Sequence, residues 1–148
     1  MEVCFRRVNE DNPEDLRQFY ELMADLSDPP TSLDLLQKKI KKTNANEDKY
    51  LMVIEDVAKK QICGSLLAVL FDDLCDECRP IMVIENVVTH HDYRGNGIGK
   101  SMFDEIEAWG RARNVNYAIL CSSMSRTEAH KFYPAIGYED VKGFKKYL

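Results

Sequence analysis

The chain has 148 residues, 45% hydrophobic and 30% charged, with a formal net charge of −5. That balance suits a globular domain with a core of its own, and the acidic charge argues against nonspecific nucleic-acid binding, which needs a basic footprint. No apolar run approaches the roughly 20 residues a membrane span needs, and the opening MEVCFRRVNE is neither a signal sequence nor a basic presequence; one cytoplasmic domain over 1–148 with no membrane partner is expected.

VCFRRV (3–8) reads as a first strand. In 14–26, Leu16, Phe19, Tyr20, Met23 and Leu26 recur on one helical stripe, which DPP (28–30) ends. Ser32 is placed to cap a second helix with Leu33, Leu36 and Ile40 on one face; its KKIKK run (38–42) reads as a solvated face. YLMVIED (50–56) and QICGSLLAVLF (61–71) predict a hairpin around DVAKK. PIMVIENVVTH (80–90) is a further strand, nearly all apolar, with Glu85 inside it. YRGNGIGKS (93–101) then carries three glycines in five residues. Met102, Phe103, Ile106 and Trp109 follow at helical spacing. NYAILCS (116–122) is a strand, and 126–133 a short helix with Ala129, Phe132 and Tyr133 inward, ended by Pro134 and Gly137. The tail YEDVKGFKKYL predicts a closing hairpin. This mixed order implies an α+β (or α/β) fold around one mixed sheet.

Five cysteines include a lone CxxC, Cys75 and Cys78 in LCDECRP. A structural zinc site needs four ligands and no second pair stands at suitable spacing, so no metal is expected. An ordinary polar loop is the reading and a redox pair the alternative.

The glycine loop invites comparison with phosphate cradles. A Walker A loop needs glycine where Arg94 stands, and a G-x-G-x-x-G fingerprint fails at Lys100 or Met102. What remains is R-x-x-G-x-G at the mouth of a helix. The first N–H groups of a helix lack intrahelical partners and lie at its positive end. Glycines let a phosphate approach that backbone closely, and Arg94 and Lys100 add charge. A tight turn without a ligand is the other reading of the loop by itself.

Arg94, Gly97 and Gly99 after an apolar strand resemble the pyrophosphate-binding segment of the GNAT superfamily of N-acetyltransferases. About 35 residues on, EAHKFYPAIGYE (128–139) resembles that family's A-x-x-F-Y-x-x-x-G-[FY] helix, with Ala129, Phe132, Tyr133, Gly137 and Tyr138 in place. The likeness is strong from residue 80 onward and rests on element order before it. IENVV and YRGNGIGK are especially similar to the glucosamine-phosphate acetyltransferase branch.

The resemblance implies acetyl-CoA as donor and a splayed mixed sheet of about six to seven strands with about four helices. The strands at 81–89 and 116–122 would part like a V around the pantetheine arm. Backbone groups of Val87, Val88 and Thr89 would pair with that arm, as in strand addition. The pyrophosphate would lie on residues Arg94, Gly95, Asn96, Gly97, Ile98, Gly99 and Lys100. Ser123 and Arg126, in the turn after the second strand, with Ala129 and Phe132 on the next helix, would complete the coenzyme site; the family's usual Asn in that turn is missing here.

Acetyl transfer to an amine needs a proton acceptor, a polarised carbonyl and a proton for the departing thiolate. Glu85, the sole acid of an apolar strand, is the candidate base, with desolvation expected to raise its pKa; His90, His91 or water are alternatives. Tyr133 matches the family's acid, and a backbone N–H near Val88 would polarise the carbonyl. Cys121 reads as a cleft-lining or packed thiol. If Asp25, Asp28, Asp72, Asp73, Asp76 and Glu77 cluster, an acidic rim would favour a cationic small-molecule amine acceptor. A noncatalytic acyl-CoA binder and a protein acetyltransferase remain as alternatives, and a homodimer is expected from the family.

Overall fold

The computed structural model describes residues 1–28 and 30–148. The break expected at DPP includes Pro29, which lies outside them. Five strands form one sheet in the order β1 (Val3–Arg7), β2 (Lys49–Asp56), β3 (Gln61–Phe71), β4 (Ile81–Thr89) and β5 (Ala118–Ile119). All neighbours are antiparallel except β4 and β5, which run parallel. Four helices, α1 (Pro13–Ala24), α2 (Leu33–Asn44), α3 (Ile98–Arg111) and α4 (Thr127–Ala135), complete the mixed α+β architecture. Among the described residues no helix is long and apolar enough to cross a membrane.

The helices begin where the chain supplies caps. Asn12 accepts from the N–H groups of Glu14 and Asp15, and Pro13 takes the first helical position, where its missing N–H costs nothing. Ser32 caps α2 by accepting from Leu35 N, as its sequence position suggests. Of the expected α2 stripe, Ile40 is buried and Leu36 packs beside it, but Leu33 is exposed.

Both faces of the sheet are covered, which is why the central strands read as continuous apolar runs. Along β2, Met52 and Ile54 join the core under α3, while Leu51 and Val53 join the core under α1 and α2. This is the period of two that a pleated strand imposes. Helix α3 seats Ile98, Met102, Phe103 and Ile106 on the first core. The contact is close at Gly64 of β3, where an added Cβ would stand 3.0 Å from Met102 Sδ and 3.1 Å from the Cγ2 atoms of Ile54 and Ile98.

Three sequence expectations are corrected. The sheet has five strands, not six or seven, and the strand expected over 116–122 is reduced to Ala118–Ile119. The closing hairpin does not form: residues 139–148 make no strand, and Val141, Phe144 and Tyr147 stay exposed. The physical reason is shared, since a two-residue β5 offers too short an edge for a further ladder. Pro134 does not end its helix either; α4 runs through it to Ala135.

Replacing Gly64 with Ala should destabilise the fold by about 1–3 kcal/mol, the usual range for overpacking. The midpoint of denaturant unfolding measures this. An unchanged midpoint would mean that α3 lifts freely from β3.

Candidate functional site

The site begins with a bulge in β4. Asn86 adopts φ 53°, in the left-handed region. Across it, the β3 pairing slips: Leu67 faces Glu85, but Ser65 faces Val88, so β4 carries one extra residue. Packing records the same slip. Met82 and Ile84 belong to the core under α3, yet past the bulge it is Val87 that packs there, while Val88 turns to the core under α1. Asparagine tolerates this conformation better than most side chains. The bulge leaves Glu85 and Asn86 exposed side by side. The desolvation expected for Glu85 is therefore absent: β4 is apolar, but it does not bury this carboxyl.

The same strand loses its other neighbour. The β4–β5 ladder consists of Met82 with Ala118 and Val83 with Ile119, and ends there. Beyond it, Glu85 to Thr89 pair only with β3, so their β5 side is an open strand edge of the kind that accepts an extended ligand. Val87, Val88 and Thr89 lie on that edge, where the sequence placed them. On the opposite arm, Ser122 Oγ is buried without a hydrogen-bond partner.

The glycine loop lies at the end of β4. Tyr93 plugs it from below, its hydroxyl donating to Asp56 Oδ2 at 3.2 Å. Gly95 and Gly97 adopt φ 79° and 77°, and a Cβ on either would meet nothing within 4 Å. Gly97 caps α3 with no side-chain hydrogen bond, and the first intrahelical bond is Ser101 N to Gly97 O. The N–H groups of Ile98, Gly99 and Lys100 thus lack intrahelical partners, and the space in front of the left-handed glycines is empty. The side chains take separate parts. Arg94 is exposed and its Nε donates to Thr89 O. The Asn96 amide is spent on the loop itself, donating to Tyr93 O and Arg94 O. Ile98 is a buried anchor, and Lys100 pairs with Asp104. Gly99 serves packing: a Cβ there would stand 3.2 Å from Cζ of Phe132.

Helix α4 supplies the other wall. Its end is a Schellman motif: Tyr138 N donates to Tyr133 O, Gly137 N donates to Pro134 O, and Gly137 takes φ 94°. The accompanying contact is Tyr138 on Tyr133, ring centroids 6.2 Å apart. Phe103 meets Phe132, Tyr133 and Tyr138 edge-on at 5.7, 5.8 and 5.4 Å. The tyrosine at 133 is held by this aromatic group. Burial pushes its phenol up from its ordinary value; the field of Arg126 opposes that and Glu85 adds to it. Glu85, Arg126 and Tyr133 thus share one electrostatic environment. Ala129 is half-buried on the same helix, and Ser123, exposed, shares a hydrogen bond with Ser125.

Two contacts escaped sequence reasoning. Asp25, just past α1, accepts from both the backbone N–H (3.1 Å) and Nδ1 (2.9 Å) of His91, and His91 lowers the Asp25 pKa. Arg126, a candidate for the coenzyme site, donates to Leu26 O at 3.1 Å. The condition for an acidic rim, that its side chains cluster, is not met between Asp25 and the β3–β4 loop. Asp25 lies beyond the end of β4, while the loop with Asp72, Asp73, Asp76 and Glu77 precedes its start, a nine-residue strand away at about 3.3 Å per residue. The tail reaches the cleft: Lys145, pushed up chiefly by Tyr147, also feels Glu85, and a Cβ on Gly143 would stand 3.5 Å from Cys121 Sγ. His90, His91 and Asp92 bring ligand atoms within 4.8 Å of one another. The two imidazoles stack at 4.3 Å, however, so their in-plane lone pairs run side by side rather than converge.

The geometry is thus a mixed sheet whose parallel strands part, with a glycine turn at the start of α3 whose first N–H groups have no intrahelical partner. The sequence model of the acetyltransferase (GNAT) family matches residues 13–138, and the chain belongs to that family. It is an acetyl-CoA-dependent N-acetyltransferase. The uncharacterized N-acetyltransferase YhdJ of Bacillus subtilis is 26% identical over 125 residues, 81% of each chain. Glucosamine-6-phosphate N-acetyltransferase of Arabidopsis thaliana superposes with a TM-score of 0.86 at 18% identity, covering 100% of this chain and 99% of that one. The aminoglycoside N-acetyltransferase AAC(6′)-Iy, solved in complex with CoA, gives 0.81 at 17% identity over 99% and 94% of the two chains.

Gly97→Glu should abolish coenzyme A binding in calorimetry while leaving the circular dichroism of the fold intact, because it sets bulk and negative charge before the free N–H groups. Gly97→Ala should cost about 1–2 kcal/mol of stability from its left-handed backbone. Unchanged affinity in the Glu variant would sink the cradle.

Proposed function

We propose that this enzyme moves the acetyl group of acetyl-CoA directly to a primary amine of a small molecule, with Glu85 and Tyr133 on either side of the reacting atoms. The observation that carries this reading is the open edge of β4 beyond Val83, which begins at Glu85 and ends at the uncapped start of α3. An extended donor fits that path. Its phosphates meet the N–H groups of 98–100 and the empty space before Gly95 and Gly97, and its amide-bearing arm adds to the edge at Val87, Val88 and Thr89. The unpartnered Ser122 hydroxyl on the β5 arm offers the arm a further polar contact.

The chemistry then follows from charge. An incoming ammonium is drawn to the exposed Glu85 carboxylate, which takes its proton directly or through water. The freed amine attacks the thioester carbonyl, whose oxygen is polarised by a backbone N–H of the edge near Val88. As the carbon–sulfur bond breaks, the thiolate takes the proton of Tyr133, and the second proton shed by the attacking nitrogen restores the phenol. Burial keeps the proton on the phenol until the thiolate forms, and Arg126, which opposes that shift, eases its release. No acyl-enzyme is required, and Cys121, exposed beside the tail, is left as lining.

A small amine is supported by the geometry of the acceptor side. The loop after α1 is fastened to both arms of the cleft, through His91 and Arg126, and the unpaired tail crosses beside Glu85. Together they narrow the approach. Structural neighbours whose names give a substrate act on glucosamine 6-phosphate and on aminoglycosides, both built on amino sugars. An amine panel holding amino-sugar phosphates, aminoglycosides, polyamines and peptides, read by thiol release, tests the acceptor class. Turnover with peptides alone would overturn the small-molecule reading.

Tyr133→Phe should lower kcat by roughly 10²–10⁴-fold, the span of a positioned acid or base, with KM for acetyl-CoA little changed. An unaffected kcat would return Tyr133 to packing alone. Glu85→Gln should remove the rise of kcat/KM with pH that deprotonation of a base produces. A retained rise would hand the role to His90, His91 or water.

A further inference from the structure

The CxxC of the β3–β4 loop plays no part in acetyl transfer, and the structure gives it a geometry of its own. Cys75 and Cys78 are both exposed. The N–H of Cys78 donates to the carbonyl of Cys75 at 2.7 Å, closing a four-residue turn. Such a turn holds its end Cα atoms within about 7 Å, the range in which a disulfide, with Cα atoms roughly 4.4–6.8 Å apart, can close. The backbone between is strained: Asp76, Glu77 and Cys78 take φ 42°, 59° and 54° in succession, a left-handed run that L side chains avoid. The surroundings hold this shape. Asp73 Oδ1 accepts from Cys75 N at 3.1 Å, Asn116 Nδ2 donates to Asp76 Oδ2 at 3.4 Å, and the Arg79 guanidinium donates to Asn114 O at 3.3 Å and Val115 O at 2.9 Å. Neither cysteine belongs to a convergent metal-ligand group among the described residues.

We propose that Cys75 and Cys78 form a reversible dithiol–disulfide site that exchanges with low-molecular-weight disulfides. One cysteine thiolate attacks a sulfur of the disulfide R–S–S–R, breaking its S–S bond and releasing R–S⁻, which takes up the proton the thiol lost. The second cysteine, as thiolate, attacks the protein-side sulfur of the mixed disulfide and expels the second R–S⁻, protonated in the same way. Two protein thiols are oxidised to one disulfide and R–S–S–R is reduced to two R–SH. The cross-link pins a turn docked on Asn114–Asn116, the lead-in to β5, whose ladder with β4 is only two pairs long. Oxidation therefore stiffens the start of the arm that forms one wall of the cleft.

The full chain is equilibrated in graded mixtures of reduced and oxidised glutathione, quenched, alkylated and read by peptide mass. The expected result is a peptide holding Cys75 and Cys78 that loses two hydrogens reversibly, unchanged in Cys121→Ser, with an accompanying rise in melting temperature. In Cys78→Ser only a glutathione adduct on Cys75 is expected. Persistent adducts in place of the internal disulfide in the wild type would overturn the proposal. So would thiols that stay reduced throughout, or a cross-link that disappears in Cys121→Ser.

Discussion

Asn86 holds a left-handed backbone in the middle of an otherwise regular strand, and the geometry of the site descends from it. A left-handed residue other than glycine costs about 1–2 kcal/mol, less for asparagine, and the two covered faces of the sheet hold it in place. The extra residue exchanges the faces of everything after it: Val88 goes under α1 and Val87 under α3. The first half of β4 can therefore serve the core as an ordinary strand, while the second half presents Glu85 to solvent and an unpaired edge to the cleft. Without the bulge, Glu85 and Asn86 could not both be exposed in succession on a strand covered on both sides.

The second wall depends on a different economy. Gly99 and Gly137 lie far apart in sequence and do unlike things. Gly99 has ordinary helical torsions and is small so that Phe132 can lie on the first turn of α3. Gly137 is left-handed so that α4 can stop in a Schellman turn and fold Tyr138 back onto Tyr133. The aromatic contacts around Phe103 tie these together, so the glycine turn at the start of α3 and Tyr133 belong to one packed unit. A disturbance at either glycine is felt at Tyr133.

Much of this was legible because it is local. Asn12, Pro13 and Ser32 announce helix starts, and period-two and helical stripes name most of the buried positions. Two spaced glycine-bearing segments point to the family. What stayed hidden was set by partners distant in the chain. That Glu85 would be exposed depends on a register slip against Ser65 and Leu67. The shortness of β5 and the open tail depend on where two strands part, which no single window encodes. Lone Asn86 in an apolar run was the available signal for the bulge, since asparagine is poor in strands and tolerant of positive φ. The charge of Arg126 is legible in the sequence, whereas its partner, a backbone carbonyl 100 positions away, is not.

That carbonyl and the Asp25 carboxylate belong to the same short stretch after α1, and their partners come from opposite arms of the cleft. His91 follows β4; Arg126 follows β5. The stretch thus joins the parted strands again, accepting three hydrogen bonds in a loop that belongs to neither. Arg126 also bears on Tyr133 through its charge, opposing the effect of burial on the phenol. Any movement of the loop that carried Arg126 with it would change both the width of the gap between the strands and the field on the Tyr133 hydroxyl. The two are in this way bound to the position of a single guanidinium.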